Sequence, residues 1–382
     1  MVDSGQVESW KSINNIVNEQ LHIEEDSYRD ESSFRKKYQA AKKFYNEVFS
    51  KREPDQYIKE LQLQKRELEK ERMKLQTEKL EYNRWLREEA RDELITDKIV
   101  EAITNLKPLA IPDVIPVIHN SKEGILIFGD EHFSVEFQIL GLFGEVLNAY
   151  NPEIFMDRMW DLLNQTIEIV KKENFTKIKV YNMGDFTDGI LRVGQLMKLK
   201  YGVIEGTVKY ADFICNWLNK LTQYVNVEFQ MVHGNHSELR MLGQPKGTFK
   251  DDNMGIIVFE SIKNRLENNP NFSLIKNPTG LIFDNVAGFN LLGIHGEVKN
   301  MENALKDFAN TYKVQLDFLL AGHLHHSKSE TVGVNRDVIN VPSIIGVDPY
   351  SMTLNKTSNS GATFIVIEEG KGKVQEYNIK LN

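Results

Sequence analysis

Five apolar runs in this sequence each end on residues that can hold a cation. Ile125–Gly129 is followed by Asp130, Glu131 and His132, and Val180–Gly184 by Asp185, Phe186, Thr187 and Asp188. Val227–His233 leads into Gly234, Asn235 and His236, Leu291–Ile294 into His295, and Phe318–Gly322 into His323, Leu324, His325 and His326. An apolar run stopped by Gly, Asp, Asn or His reads as a buried strand delivering polar groups to a loop. Carboxylates, a carboxamide and imidazoles without thiolates suit manganese, iron, zinc and similar divalent ions. Open α/β sheets gather ligands at the carboxyl ends of their strands, so the five tips can converge on one site for two metal ions. Asp130 and His132, two residues apart, reach the same side of an extended tip, and His323 and His325 have the same spacing. Asp185 is the natural bridging carboxylate for ions ~3.5–4 Å apart. Asn235 adds a neutral oxygen and His295 an imidazole. Taken singly, these residues read more often as turns, caps or core histidines; their shared placement at strand ends sets them apart.

The elements that must position these groups begin near Gly124, where strand-like runs start to alternate with helical segments at Glu153–Glu173, Gln195–Tyr224, Met254–Asn268 and Met301–Tyr312. Short β-like runs follow at Val338–Ile345, Ala362–Glu368 and Val374–Ile379. This alternation predicts α/β layers over residues 121–382. Residues 1–53 read as a small helical region. Within it Phe34, Tyr38, Ala41, Tyr45 and Val48 mark one helical face, and Arg35, Lys36, Lys37, Lys42 and Lys43 supply cations. Such a face is either a solvated surface or a phosphate-backbone contact with aromatics for stacking. Residues 54–96 predict a long charged helix, with Leu61, Leu68, Leu75 and Tyr82 recurring every seven residues. A coiled-coil-like pairing through residues 57–94, giving a homo-oligomer, follows from that stripe. Lys65, Arg72 and Lys79 interrupt the second column, which leaves an isolated or docked helix as the alternative. Residues 97–120, with Pro108, Pro112 and Pro116, read as a linker.

Composition narrows the function classes. A chain of 382 residues accommodates a full catalytic domain and a smaller accessory region. The single cysteine, Cys215, sits among Phe213, Ile214 and Trp217 and reads as a buried structural thiol. One thiol forms no intrachain disulfide, which points to a reducing, cytoplasmic setting, and no apolar run approaches membrane-spanning length. The net charge of −8 gives no whole-chain case for nucleic acid, so DNA as a partner must rely on local patches. P-loop and Rossmann glycine motifs are absent from the sequence.

Asp-x-His, Gly-Asp-x-x-Asp, Gly-Asn-His, a lone His and Gly-His-x-His, in that order, resemble the calcineurin-like metallophosphoesterases. The resemblance covers residues 121–382 and implies a four-layer α/β/β/α sandwich with a dinuclear centre at its rim. It implies Asp130, His132, Asp185 and His325 on one ion, and Asp185, Asn235, His295 and His323 on the other. It further implies His236 as the group assisting the leaving oxygen and Asp188 as its orienting partner. Manganese is the expected ion, with iron, zinc, nickel and magnesium as alternatives. Two cations of this kind bind phosphate oxygens and make hydroxide available near neutral pH. Ser237 departs from the family pattern, in which Asp or Glu directly follows Gly-Asn-His.

Three functional readings follow. A DNA phosphodiesterase similar to phage-encoded or repair-type members fits the basic segment, with Arg192 and neighbouring cations near the site. A phosphomonoesterase or small phosphodiesterase fits Asp188, which stands where the repair nucleases usually have His. The Arg that follows it in protein phosphatases is replaced by Gly189. A non-catalytic scaffold docking through residues 1–96 is the third.

Overall fold

A computed structural model of the chain describes residues 9–22, 30–50, 54–106, 108–118, 120–188, 196–239, 252–353, 355 and 357–381. It divides into two compact units, Met1–Glu93 and Leu94–Asn382. In the first unit, α1 (Trp10–Gln20) is capped by Ser9 and α2 (Glu31–Phe44) by Asp30, whose carboxylate accepts from the Ser33 amide at 2.9 Å. A short π-helical turn, Tyr45–Phe49, ends α2. Helix α3 spans Pro54–Thr104, so the helix continues into the stretch read as linker. Leu61, Leu68, Leu75 and Tyr82 lie exposed along it.

The second unit is built on two sheets. Strand β1 (Lys122–Phe128) is followed by the hairpin β2 (Phe137–Leu140) and β3 (Val146–Tyr150), then α4 (Pro152–Glu173) and β4 (Lys177–Asn182). Next come α5 (Val203–Leu221), β5 (Asn226–Met231), α6 (Met254–Leu266), β6 (Phe272–Leu274), β7 (Ile282–Val286) and β8 (Phe289–Ile294). The chain closes with α7 (Met301–Tyr312), β9 (Phe318–Ala321), β10 (Lys328–Gly333), β11 (Arg336–Asn340), α8 (Pro349–Thr353), β12 (Gly361–Glu368) and β13 (Gly372–Lys380). One sheet has the order β13-β12-β1-β4-β5-β6 and the other β10-β11-β9-β8-β7. Strands β1, β4, β5 and β6 run parallel, as do β8, β9 and β11.

The apolar runs read as strands because both faces of each are covered. Alternate residues of β1 enter different cores. Leu126 and Phe128 pack with α4, α5 and α6, whereas Ile125 and Ile127 pack against the second sheet through Ile282, Leu291 and Phe318. A third core joins Leu292, Leu319 and Val338 to Ala304 and Leu305 of α7. Three apolar interfaces make four layers, the expected α/β/β/α sandwich. Helix α4 starts where Asn151 caps the Ile154 amide ahead of Pro152, and stops at Asn174, a left-handed C-cap. Helix α5 begins at Val203; Gln195, where the sequence reading starts it, lies outside the described residues, and Leu199 and Lys200 between them are used otherwise. Leu199 bridges to Val135, and Lys200 reaches Glu153 at 2.6 Å. The proline-rich stretch is tied to this unit by side chains: Asn271 bonds Ile115 and Asp113, Asn226 bonds Ile115, and Asn219 bonds Ala110.

At one end the sheets are joined by polar groups. Lys179 and Tyr181 of β4 and Gln230 of β5 all donate to Asp284 Oδ2 of β7, at 2.8, 2.6 and 2.8 Å. Lys179 also reaches Glu228 at 2.7 Å. Removing one partner of a buried cluster strands the others, while replacing both with apolar groups need not. Asp284→Ala is therefore expected to lower the unfolding free energy by about 3 kcal/mol in urea titrations. The double variant Lys179→Met/Asp284→Leu should recover most of that. A single-variant loss under ~0.5 kcal/mol, the size of a surface substitution, would refute the cross-sheet role.

Candidate metal centre

All five tips lie at one rim of the sandwich, and turns rather than extended strand shape them. Asp130 has φ 53° and His132 φ 43°, and Asp185, His323 and His325 have φ 56°, 63° and 53°. The extended tip that would place Asp130 beside His132 does not form; the chain curls through the left-handed region instead. Asp and His tolerate that region better than most residues, at ~1–3 kcal/mol each, so neighbouring contacts must hold them there. The first two tips are laced together beyond their strands. The amides of Asp130, His132 and Phe133 donate to Gly184, Asp185 and Phe186 at 2.9, 2.9 and 3.0 Å. Gly184, at φ 90°, and Gly234 allow the third tip to close over the second. A Cβ on Gly234 would stand 2.1 Å from the Asp185 nitrogen.

Each aspartate divides its two oxygens. Asp130 Oδ2 accepts the His323 amide at 2.8 Å, and Asp185 Oδ1 accepts the His236 amide at 2.7 Å. The remaining oxygens, Asp130 Oδ1 and Asp185 Oδ2, are buried without a hydrogen-bond partner, as is His132 Nε2. The histidines divide their nitrogens in the same way. His132 Nδ1 lies 3.1 Å from Asp188, His295 Nδ1 donates to the Met183 carbonyl at 2.8 Å, and His325 Nδ1 lies 3.0 Å from Asp348. The Nε2 atoms of His295 and His325 then face Asp185 Oδ2 at 2.9 Å and Asp130 Oδ1 at 3.6 Å.

The donors collect into Asp130, His132 and His325 on one side and Asp185, His295 and His323 on the other, with ligand atoms within 4.8 Å of one another in each group. Asn235 Oδ1 is 3.0 Å from His295 Nε2. A third group, His132, Asp188 and His236, shares His132 with the first. Asp185 Oδ2 and His295 Nε2 stand close without hydrogen-bonding geometry. Two ligands each ~2.1 Å from one ion at right angles lie about 3 Å apart. Buried, unpartnered lone pairs at that spacing fit a pair of divalent cations.

His236 differs from these rings. Its Nδ1 is tied to Asp188, which also holds His132, and its side chain is 23% exposed whereas His132 is 5% exposed. Its second ring nitrogen is therefore the one available to a substrate. The electrostatics follow from burial and neighbours. Burial disfavours the Asp188 carboxylate, yet His132 and His236 hold it well below the usual carboxylate range. Burial lowers His236, but Asp185 and Asp188 more than offset it and push it to about 9. Burial likewise opposes the charged His325, and Asp130 and Asp348 raise it to about 10. Burial beside His295 takes His323 down to about 4. In the metal-free chain, protons on imidazoles balance the carboxylates.

Two further groups escaped the sequence reading. Glu131 is fully buried, accepts from Asn182 at 2.6 Å and Tyr210 at 2.8 Å, and is pushed up to about 8, chiefly by burial. It braces the first tip from behind; a charged residue inside an apolar strand end was the available signal. Asp348, beside His325, had no local signal. Ser237 is buried and bonds the Gly234 carbonyl at 3.0 Å, so the residue that departs from the family pattern closes the Gly-Asn-His turn. Cys215 is buried as expected, and burial pushes its thiol up to about 12. Arg35, Lys36, Lys37, Lys42 and Lys43 are exposed on α2 of the first unit, where Arg35 pairs with Glu31 at 3.3 Å. Arg192 lies outside the described residues.

Because His236 and His325 are raised, the stability they contribute is complete below about pH 6.5 and is lost as pH rises through about 9 and 10. Metal-free protein is expected to lose unfolding free energy across that window, by on the order of 2 kcal/mol for His236. Urea titrations at several pH values check this. His236→Ala should flatten the lower part of the slope, and an unchanged slope would count against the dyad.

A model of the YonJ coiled-coil domain matches residues 64–106. The SPbeta prophage-derived protein YonJ of Bacillus subtilis strain 168 is 30% identical over 387 residues, covering 98% of this chain and 92% of that protein. Among solved structures, zinc-complexed Vps29 of Entamoeba histolytica is 14% identical with a TM-score of 0.31, covering 68% of this chain and 99% of that one. A dimetal phosphatase of Danio rerio is 10% identical with a TM-score of 0.35, at the same coverages. Among the described residues no helix is long and apolar enough to cross a membrane. The near full-length relative shows that this chain belongs to the YonJ family, and its four layers and the order of its five tips keep the resemblance to the calcineurin-like metallophosphoesterases.

Proposed function

We propose that the protein is a two-metal phosphoester hydrolase whose substrate is DNA. The observation that carries the hydrolase reading is the division of labour at the rim. Two groups of buried donors keep unpartnered lone pairs, and beside them His236, tied through Nδ1 to Asp188, keeps a ring nitrogen for substrate. Asp130, His132, Asp185 and His325 would hold one ion, and Asp185, Asn235, His295 and His323 the other. When bound, divalent ions supply Lewis-acid polarisation of the phosphate and an activated water. Asp188 orients the His236 ring and stabilises its protonated form, and that ring then gives a proton to the departing oxygen. Asp185 fixes the position of His236 through its backbone amide.

Support for DNA comes from the exposed cations on α2, with Tyr38 under Lys42 at 5.7 Å. The prophage origin of the YonJ relative agrees with a nucleic-acid role. A second reading, hydrolysis of phosphomonoesters or small diesters, is favoured by Asp188, since repair nucleases of this fold usually have His there. Pairing of α3 with a second copy, supported by its exposed Leu61, Leu68 and Leu75 and the coiled-coil match, would present two sites to one polymer. A monomeric mass in light scattering would exclude that pairing.

With manganese, the chain is expected to cleave single- or double-stranded DNA faster than p-nitrophenyl phosphate or bis-p-nitrophenyl phosphate. Replacing Lys36, Lys37, Lys42 and Lys43 with Glu should abolish DNA cleavage and spare the small esters; the opposite ranking of substrates selects the second reading. His236→Ala should lower kcat by roughly 10²–10⁴ with both metals retained by elemental analysis. Loss of metal in that variant would overturn the acid role.

A further inference from the structure

A histidine that gives one ring nitrogen to a cation must carry its proton on the other, and that N–H needs an acceptor to fix the tautomer and the ring plane. His295 uses the Met183 carbonyl and His132 uses Asp188, both inside the five tips. For His325 the group in that position is Asp348, whose Oδ2 lies 3.0 Å from Nδ1 while Nε2 faces Asp130. Asp348 lies outside all five tips, and nothing in the spacing of the sequence joins it to them.

The surrounding chain is built to hold this carboxylate in place. Asp348 Oδ1 accepts the Ser351 amide at 2.6 Å, and its own amide donates to Ser351 Oγ at 2.9 Å. That leaves Oδ2 for the ring, 3.0 Å from His325 Nδ1. The loop leading to it is pinned by two buried side chains. Arg158 of α4 donates to the carbonyls of Ile344 and Ile345 at 3.0 and 2.9 Å and to Asn148 at 2.7 Å. Asn148 donates to the carbonyls of Ile345 and Val347 at 3.0 and 2.6 Å. The same loop runs beside the first tip, where the Ile344 and Ile345 amides donate to Gly129 and Asp130 at 3.1 and 3.3 Å. One pinned segment therefore fixes both Asp130 and the acceptor for His325.

We propose that Asp348 is the positioning residue for His325, holding its Nδ1–H so that Nε2 is presented to the ion shared with Asp130 and His132. The assignment rests on the two-metal reading above. Substituting groups that orient a ligand in this way weakens metal affinity about 10–100-fold. Manganese titration of the full chain by calorimetry is expected to give two ions for the wild type. In Asp348→Asn one site should weaken by about 10–100-fold while the other keeps its affinity. His325→Ala should weaken the same site, and the double variant should lose no more than His325→Ala alone. A merely structural Asp348 would lower both sites together or add to the His325→Ala loss, and either result overturns the proposal, as does wild-type affinity in Asp348→Asn. A wild-type chain that takes up no manganese would remove the metal reading itself, and the positioning role with it. Should Asp348→Asn fail to fold, nitrogen-15 NMR of zinc-loaded wild-type protein decides. A proton on Nδ1 of His325 supports the assignment, and a proton on Nε2 overturns it.

Discussion

The divided carboxylates of Asp130 and Asp185 are the interaction on which the rim depends. Each spends one oxygen on a backbone amide from a distant part of the chain, His323 for Asp130 and His236 for Asp185. Charge-assisted bonds of this kind are stronger than neutral ones. They draw the third tip onto the second and the fifth onto the first. The other oxygen is left aimed inward, so the contacts that assemble the loops also produce the unpartnered lone pairs. Assembly and ligand placement are thus one event, and a residue with only one acceptor oxygen could not supply both.

The layers below provide the rigidity this needs. Strands β1, β4 and β5 are covered on both faces, and their parallel register sets three tips side by side. Strands β8 and β9, parallel in the second sheet, bring His295, His323 and His325 from the opposite side. Between the sheets, Asp284 Oδ2 gathers Lys179, Tyr181 and Gln230, and behind the first tip Glu131 Oε1 gathers Asn182 and Tyr210. Buried polar groups specify one arrangement when every member is paired.

Much of this was legible in the sequence because the governing signals are local. An apolar run that stops at Gly-Asp or Gly-Asn is a buried strand meeting a turn, and the alternation of such runs with helices gives α/β layers; the count of four layers came from the family resemblance. The helical stretches Glu153–Glu173 and Met301–Tyr312 match α4 and α7, whose first turns Asn151 and Asn300 cap in the structure. Three features were not legible, for different reasons. The left-handed backbone at Asp130 and His132 was missed because these residue types also occupy extended tips, and only tertiary contacts decide. The start of α5 was missed because the residues before it have helix-compatible composition yet are bound to Ser134, Val135 and Glu136 ahead of β2 and to Glu153 of α4. Asp348 and Arg158 were missed because their roles depend on pairs far apart in the chain, which leave no periodic trace.

The positive φ angles at five rim residues have a bearing on how such a site can change over evolutionary time. Asp, Asn and His are the side chains that both donate to hard or borderline cations and accept left-handed backbone at less cost than most residues. A drift toward cysteine or glutamate, which would retune the centre for other ions, must fight the chain conformation as well as the coordination geometry. The repertoire of ions open to descendants of this protein is narrowed by the curl of its main chain, ahead of any selection on catalysis.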